Sequence, residues 1–218
     1  MDKWALVSDF DGTISDDDFF YYASDRYLGK EALAPWDEYV QGKKAHFVAL
    51  AEIYGSLRVD KAEMDAFIGK IRVDPHFEAV ADYCAQKQIP LYICSAGCDY
   101  YINVRIGNLI DKYKIKVISN HGEYSTEKGL QLTPPAKDSP FYDSNIGVNK
   151  AAIVKHLQSL GYKVVFCGDG MPDLRAAEAA DKVFARKILL EQCRKLKITA
   201  EELSDFAQVK DFLHGENK

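Results

Sequence analysis

No stretch of this chain is apolar for long enough to span a bilayer or to serve as a signal sequence, so the reading is of a cytoplasmic protein with no membrane partner. Positive charge is in deficit as well. Lys and Arg number 28 against 33 Asp and Glu, a formal charge of −5, and no basic stripe offsets it, which argues against a nucleic-acid partner. Cysteine is sparse: the five, Cys84, Cys94, Cys98, Cys167 and Cys193, are an odd number, scattered, and partly inside apolar runs. With no CxxC spacing among them they are read as reduced core residues, since a buried free thiol behaves as a small hydrophobe.

What is present is an ordinary globular composition, 47% apolar and 28% charged in 218 residues, enough for one substantial core plus an insertion. The apolar run Leu6-Val7-Ser8 ends in Asp9-Phe10-Asp11-Gly12-Thr13 and reads as a buried strand that delivers two acids to its C-terminal tip, where open α/β sheets bind ligands. Strand periodicity turns Asp9 and Asp11 to the same side, and two like charges that close need a cation or a shared proton. Taken alone, these residues fit an ordinary Asp-Gly turn equally well. From 16 to 75 the strand-like runs vanish. Asp16, Asp17 and Asp18 precede Phe19, Phe20, Tyr21 and Tyr22 as an acidic helix start, and apolar residues at helical spacing continue through Trp36, Phe47, Tyr54 and Phe67. Sixty residues of helix exceed a simple crossover and read as an inserted cap. Its aromatics are expected to pack the cap itself, with Asp18 a candidate to face the cleft.

Beyond the cap, a helix leads to the strand 89–94, which stops at Ser95-Ala96-Gly97, small residues that let backbone N–H groups approach an anion; Asp99 opens the next helix. A strand at 116–120 continues at His121-Gly122 as a hairpin, and 133–147, with three prolines, reads as a loop. Lys150 stands at a helix start, where the macrodipole disfavours a cation, a placement suited to a bound anion. The strand 163–167 runs into Gly168-Asp169-Gly170-Met171-Pro172-Asp173; a strand follows at 182–185, and the remainder reads as helical with Thr199 and Asp205 as caps. Asp9, Asp11 and Asp169 are hard oxygen donors in a number that suits Mg²⁺.

In order, the Asp9–Thr13 stretch, Ser95, Lys150 and the Asp169/Asp173 pair resemble the four signatures of the haloacid dehalogenase superfamily, with Pro172 where Asn or Ser is usual. The resemblance implies an α/β fold: a Rossmann-like, doubly wound parallel sheet over 1–15 and 76–218, with a helical cap over 16–75. A cap in that position resembles the subfamily that includes phosphoserine phosphatase. Asn120-His121 resembles the methionine-salvage enolase-phosphatases, which makes His121 a candidate for the cleft rim.

The implied activity is Mg²⁺-dependent hydrolysis of a small phosphorylated metabolite. Asp9 would be the nucleophile, carrying an aspartyl-phosphate, and Asp11 the general acid and base. Gly12, Ser95, Ala96 and Lys150 would hold the phosphoryl group. The metal would be bound by Asp9, the Asp11 carbonyl, Asp169 and, directly or through water, Asp173. A phosphotransferase or mutase of the same superfamily, or a noncatalytic phosphometabolite-binding protein, are the alternatives. Oligomeric state leaves no trace in the sequence.

Overall fold

The computed structural model describes residues 3–216. β1 (Lys3–Ser8) leads into the helices α1 (Phe19–Ala23), which continues as a π turn over Ser24–Leu28, α2 (Ala34–Val40), α3 (His46–Gly55) and α4 (Lys61–Ile68). Then come α5 (Phe77–Lys87), β2 (Leu91–Cys98), α6 (Asp99–Tyr113), the hairpin β3 (Lys116–Ser125) and β4 (Gly129–Thr133), and a short pair, β5 (Tyr142–Asp143) and β6 (Gly147–Val148). The chain closes with α7 (Lys150–Ser159), β7 (Tyr162–Gly168), α8 (Leu174–Ala179), β8 (Lys182–Ala185), α9 (Lys187–Leu196), β9 (Glu201–Glu202) and α10 (Phe206–Glu216).

Seven strands form one sheet in the order β4-β3-β2-β1-β7-β8-β9, parallel throughout except for β4. The α/β expectation holds, and so does its doubly wound form. Along β1, Trp4 and Leu6 join the core under α5, α6 and α10, while Ala5 and Val7 join the core under α7, α8 and α9. That alternation is why the strand reads as a continuous apolar run: both of its faces are covered. β1 lies between β2 and β7, so the chain winds away from it in both directions and opens a crevice at the strand tips.

The helices α1 to α4 leave and rejoin the sheet through one narrow neck. Ser15 and Val73 form an antiparallel bridge, Asp74 N–H donates to the Ile14 carbonyl at 2.9 Å, and Asp16 N–H to that of Arg72 at 3.3 Å. Phe19, Phe20, Leu50 and Tyr54 are buried in the same cluster as Leu6 and Ile93 of the sheet. Each such side chain contributes on the order of 2 kcal/mol by leaving water, so the cap is seated over the strand tips.

Several local expectations change. β2 does not stop before Ser95 but runs on to Cys98 through a register shift against β3 between Cys94 and Cys98, so the Ser-Ala-Gly turn is a bulge within a strand. The loop at 133–147 contains β5 and the start of β6, and the C-terminal remainder contains the edge strand β9. Thr199 therefore precedes a strand and caps nothing, whereas the Asp205 carboxylate accepts from the N–H groups of Ala207 (2.9 Å) and Gln208 (3.4 Å) at the start of α10. All five cysteines are free and buried, as their apolar setting implies. Among the described residues no helix is long and apolar enough to cross a membrane.

Candidate active site

The tip of β1 is held before it turns. Asp9 N–H donates to the Cys167 carbonyl of β7 at 2.9 Å, and the Asp9 carboxylate accepts from Phe10 N–H at 2.7 Å. Ser15 Oγ then closes the loop, accepting from Gly12 N–H and donating to the Phe10 carbonyl, both at 3.2 Å. Gly12 is required there: its φ of +67° is left-handed, and a Cβ would stand 2.1 Å from Asp169 Oδ2.

Four carboxylates converge at the tips of β1 and β7, and all four are buried: Asp9, Asp11, Asp169 and Asp173. Lys150, itself 1% exposed, reaches them from the start of α7, with Nζ 2.9 Å from Asp9 Oδ2 and 2.6 Å from Asp173 Oδ1. Asp173 also accepts from the N–H groups of Asp169 (3.0 Å) and Gly170 (3.1 Å), which locks the turn after β7. Lys187, just past the tip of β8, places Nζ 3.2 Å from Asp169 Oδ2 and 3.8 Å from Asp17 of the cap.

Burial and the Asp173 charge push the Asp9 carboxyl well above the ordinary range, against the pull of Lys150. Burial and Asp173 likewise raise Asp169 to about 6 despite Lys187. Burial works against the charge on Lys150, but Asp173 and Asp9 outweigh it and hold the ammonium form. Four acids thus face two ammonium groups, and ionising them all leaves an excess of two negative charges for a divalent cation to balance.

Asp9, Asp169 and Asp173 each offer one carboxylate oxygen, and these oxygens lie within 4.8 Å of one another. A small, hard, buried oxygen cluster of that kind fits Mg²⁺. Asp11 is not in it. Its Oδ2 accepts from Tyr101 OH at 2.5 Å and Ser95 Oγ at 3.3 Å, and its Oδ1 accepts from Phe19 N–H at 3.1 Å, the first turn of the cap. Burial raises the Asp11 carboxyl while those three donors pull it down, which leaves a group able to hold or release a proton beside the cluster.

The β2 bulge faces the same point. Gly97 N–H donates to Ser95 Oγ at 2.9 Å, and Asn120 Nδ2 of β3 donates to the carbonyls of Ala96 (2.8 Å) and Gly97 (3.0 Å), so the bulge is braced from behind. Above it the cap encloses a cavity of about 590 Å³ lined by Asp9, Asp11, Ser95, Ala96 and Asp169 at the sheet end and by Phe20, Trp36, Tyr39, His46 and Tyr54 at the cap end.

Of the residues singled out in the sequence, Asp9, Asp11, Ser95, Ala96 and Asp169 line the cavity; Gly12, Lys150 and Asp173 sit directly behind it. Asp18 also lines it, at the N-terminus of α1. His121 does not join them: it is exposed on the β3–β4 hairpin, with Nδ1 2.9 Å from Asp99. Tyr101, Lys187 and His46 were not singled out, and Asn120 was named only as the neighbour of His121. Lys187 had a legible signal, since it follows a strand tip at the same edge of the sheet; Tyr101 had a weak one, a hydroxyl on an otherwise apolar helix face that needs a partner when buried.

Residues 6–178 match the family described as haloacid dehalogenase-like hydrolase. The chain is 28% identical over 211 residues to a 2-hydroxy-3-keto-5-methylthiopentenyl-1-phosphate phosphatase of Geobacillus thermodenitrificans, covering 95% of this chain and 94% of that one. It is also 28% identical over 233 residues to the polyol phosphate phosphatase PYP1 of Saccharomyces cerevisiae, covering 99% and 96%. In structure it is similar to a substrate-bound phosphoserine phosphatase at a TM-score of 0.71, covering 97% of this chain and 98% of that one, with 14% identity, a likeness of fold. Together with the four converging motifs, these matches establish that the chain belongs to the haloacid dehalogenase-like hydrolase family and is a phosphatase of it.

Proposed function

We propose that the chain hydrolyses small phosphomonoesters with Mg²⁺ through a phosphoryl group carried briefly on Asp9. The observation that carries this reading is the different setting of the two acids that follow β1. Asp9 faces Lys150 at 2.9 Å within the oxygen cluster, while Asp11 is held apart by Tyr101 at 2.5 Å.

A carboxylate attacks a phosphate dianion only when the charge between them is reduced. Lys150 does part of this from below Asp9, and Ser95 Oγ, by turning its proton from Asp11, with the backbone at Ala96 would offer donors to the phosphoryl oxygens from the other side. Mg²⁺, held by Asp9, Asp169, Asp173 and the Asp11 carbonyl, would neutralise the remaining charge when bound. In-line attack by an Asp9 carboxylate oxygen forms the acyl-phosphate bond and breaks the bond to the leaving oxygen, which takes a proton from Asp11. Asp11 then removes a proton from the water that cleaves the acyl-phosphate, returning both acids to their starting state. Tyr101 OH and Phe19 N–H keep Asp11 oriented through both steps. The cap keeps bulk water from the first step. Two relatives named for small phosphate esters support a metabolite of that size as substrate.

The test is hydrolysis of p-nitrophenyl phosphate with Mg²⁺ and with chelator, by the wild type and by Asp9→Asn. The expected result is metal-dependent turnover lowered at least about 10³-fold in the variant. Turnover by folded Asp9→Asn at the wild-type rate would overturn the mechanism.

A further inference from the structure

We propose that the cap is not one moving body. Its helices α3 and α4 are fixed to the sheet, and the stretch from Gly29 to Gly42, which carries α2, is a flap that closes the cavity by setting Val40 against Met171 and Ile188. The inference draws on the hydrolytic reading above only for the kind of ligand that closes the flap.

The fixed half is tied down along its length. Asn145, between β5 and β6, holds the start of α3: its Oδ1 accepts from His46 N–H at 3.0 Å and its carbonyl from Phe47 N–H at 2.8 Å. Between α3 and α4, Tyr124 of β3 donates its hydroxyl to the Val59 carbonyl at 2.6 Å and accepts from Val59 N–H at 3.1 Å. From α6, Tyr100 donates to the Asp65 carboxylate of α4, and Arg105 Nε to the Ile71 carbonyl just beyond that helix. Leu50, Ile53 and Tyr54 of α3 are buried, as are Met64 and Ile68 of α4. Lifting this half would break those bonds and return those side chains to water, so it stays where the sheet holds it.

From 25 to 45, by contrast, not one residue is buried. Among the described residues no hydrogen bond or ion pair joins the stretch Gly29–Gly42 to the sheet domain; Glu38 pairs with Lys44 at 2.9 Å, inside the cap. Trp36 and Tyr39 meet the His46 ring edge-on, at 5.3 and 5.1 Å between centroids. Each end is a glycine in the left-handed region: Gly29 at φ +81°, just past the π turn, and Gly42 at +71°, where a Cβ would meet nothing within 4 Å. Such residues absorb a change of backbone direction at little cost, and a segment with little buried surface is the one that opens.

The two lips of the cleft carry the surface that closure would cover. Val40, the last residue of α2, is 71% exposed; Met171, in the turn after β7, and Ile188, at the start of α9, are 46% and 51% exposed. All three line the cavity whose floor is Asp9, Asp11 and Asp169. Apolar side chains left in water on opposite lips gain by meeting. A ligand held between that floor and the rings of Trp36 and Tyr39, both on α2, touches more of the protein with the flap down, and such differential contact is what shifts the flap toward its closed position.

The experiment is amide hydrogen exchange of the whole chain read by mass spectrometry, free and with Mg²⁺ plus orthovanadate, for the wild type and Val40→Ser. In the free protein the amides of 30–42 should exchange at least about 100-fold faster than those of α3 and α4. Mg²⁺ with vanadate should slow the flap at least about tenfold and leave α3 and α4 within about twofold of their free rates. Val40→Ser removes a side chain that is already in water, so its melting temperature should match wild type, while the slowing by vanadate falls roughly three- to tenfold. Free-state exchange of α3 and α4 as fast as the flap, or slowing of all three together, would mean the cap moves as one body and overturns the inference. Full slowing retained in Val40→Ser overturns the contact with Met171 and Ile188. If vanadate neither binds nor inhibits, the hydrolytic reading fails, and the free-state exchange pattern alone decides whether the flap exists.

Discussion

Replacing Lys150 by Met should leave the molecule of similar volume but with a buried negative charge unbalanced. Nζ stands 2.9 Å from Asp9 and 2.6 Å from Asp173, and all three side chains are buried. Removing one partner of such a group costs about 3–5 kcal/mol, because the remaining carboxylates keep their desolvation and lose their compensation. In a domain of this size each kcal/mol moves the thermal midpoint by about 2–4 °C, so a fall on the order of 10 °C is expected at pH 8 without added metal.

The sign of the pH dependence follows from Asp9. Its carboxyl is raised above the ordinary 3.8 by burial and by Asp173, and Lys150 opposes the rise. Without Lys150 it rises further, so the folded variant retains a proton that the unfolded chain gives up. A raised carboxyl costs stability as pH climbs from the ordinary value through the folded one, and the cost fades below it. The deficit of Lys150→Met relative to wild type should therefore be small near pH 4 and full at pH 8. Thermal unfolding followed by circular dichroism at both pH values measures it, and Lys150→Met/Asp173→Asn should recover part of the loss. A variant that melts within about 2 °C of wild type at pH 8, or a deficit equal at both pH values, would refute the claim that Lys150 is the countercharge of this cluster.

Tyr101→Phe removes the 2.5 Å donor that pulls the Asp11 carboxyl down, so that carboxyl rises and the alkaline limb of the pH profile of kcat/KM, which needs Asp11 protonated for the leaving oxygen, moves to higher pH; a limb that stays in place would free Tyr101 of any part in tuning Asp11. Asn120→Ala removes the braces on the Ala96 and Gly97 carbonyls, and a shift of the phosphate-facing backbone should lower kcat/KM roughly 10- to 100-fold, while the lost bonds cost about 1–3 kcal/mol of stability. Steady-state kinetics on p-nitrophenyl phosphate would show it, and wild-type rates from that variant would mean the bulge holds itself.

Much of the sheet could be read along the chain because β1, β2 and β7 are buried on both faces, and such strands announce themselves as unbroken apolar runs. β9 could not: it is two exposed glutamates paired only to β8, and nothing in Glu201-Glu202 favours a strand apart from that neighbour. The β2 bulge was hidden for a related reason. Ser95-Ala96-Gly97 looks like the end of a strand, and only the pairing of Cys98 with Asn120 of β3 shows that the strand resumes.

By itself the sequence determined which carboxylates stand at the strand tips, since Asp9, Asp11 and Asp169 each lie within a few residues of a buried run that has one way to end. The tertiary structure alone decided what surrounds them. Tyr101 meets Asp11 across 90 positions, Asn145 meets His46 across 99, and Lys187 reaches Asp16 of the cap across 171. Such contacts depend on how strands register and on how the cap sits over the sheet. Those are set by packing summed over the whole core, so no short window of the chain contains them.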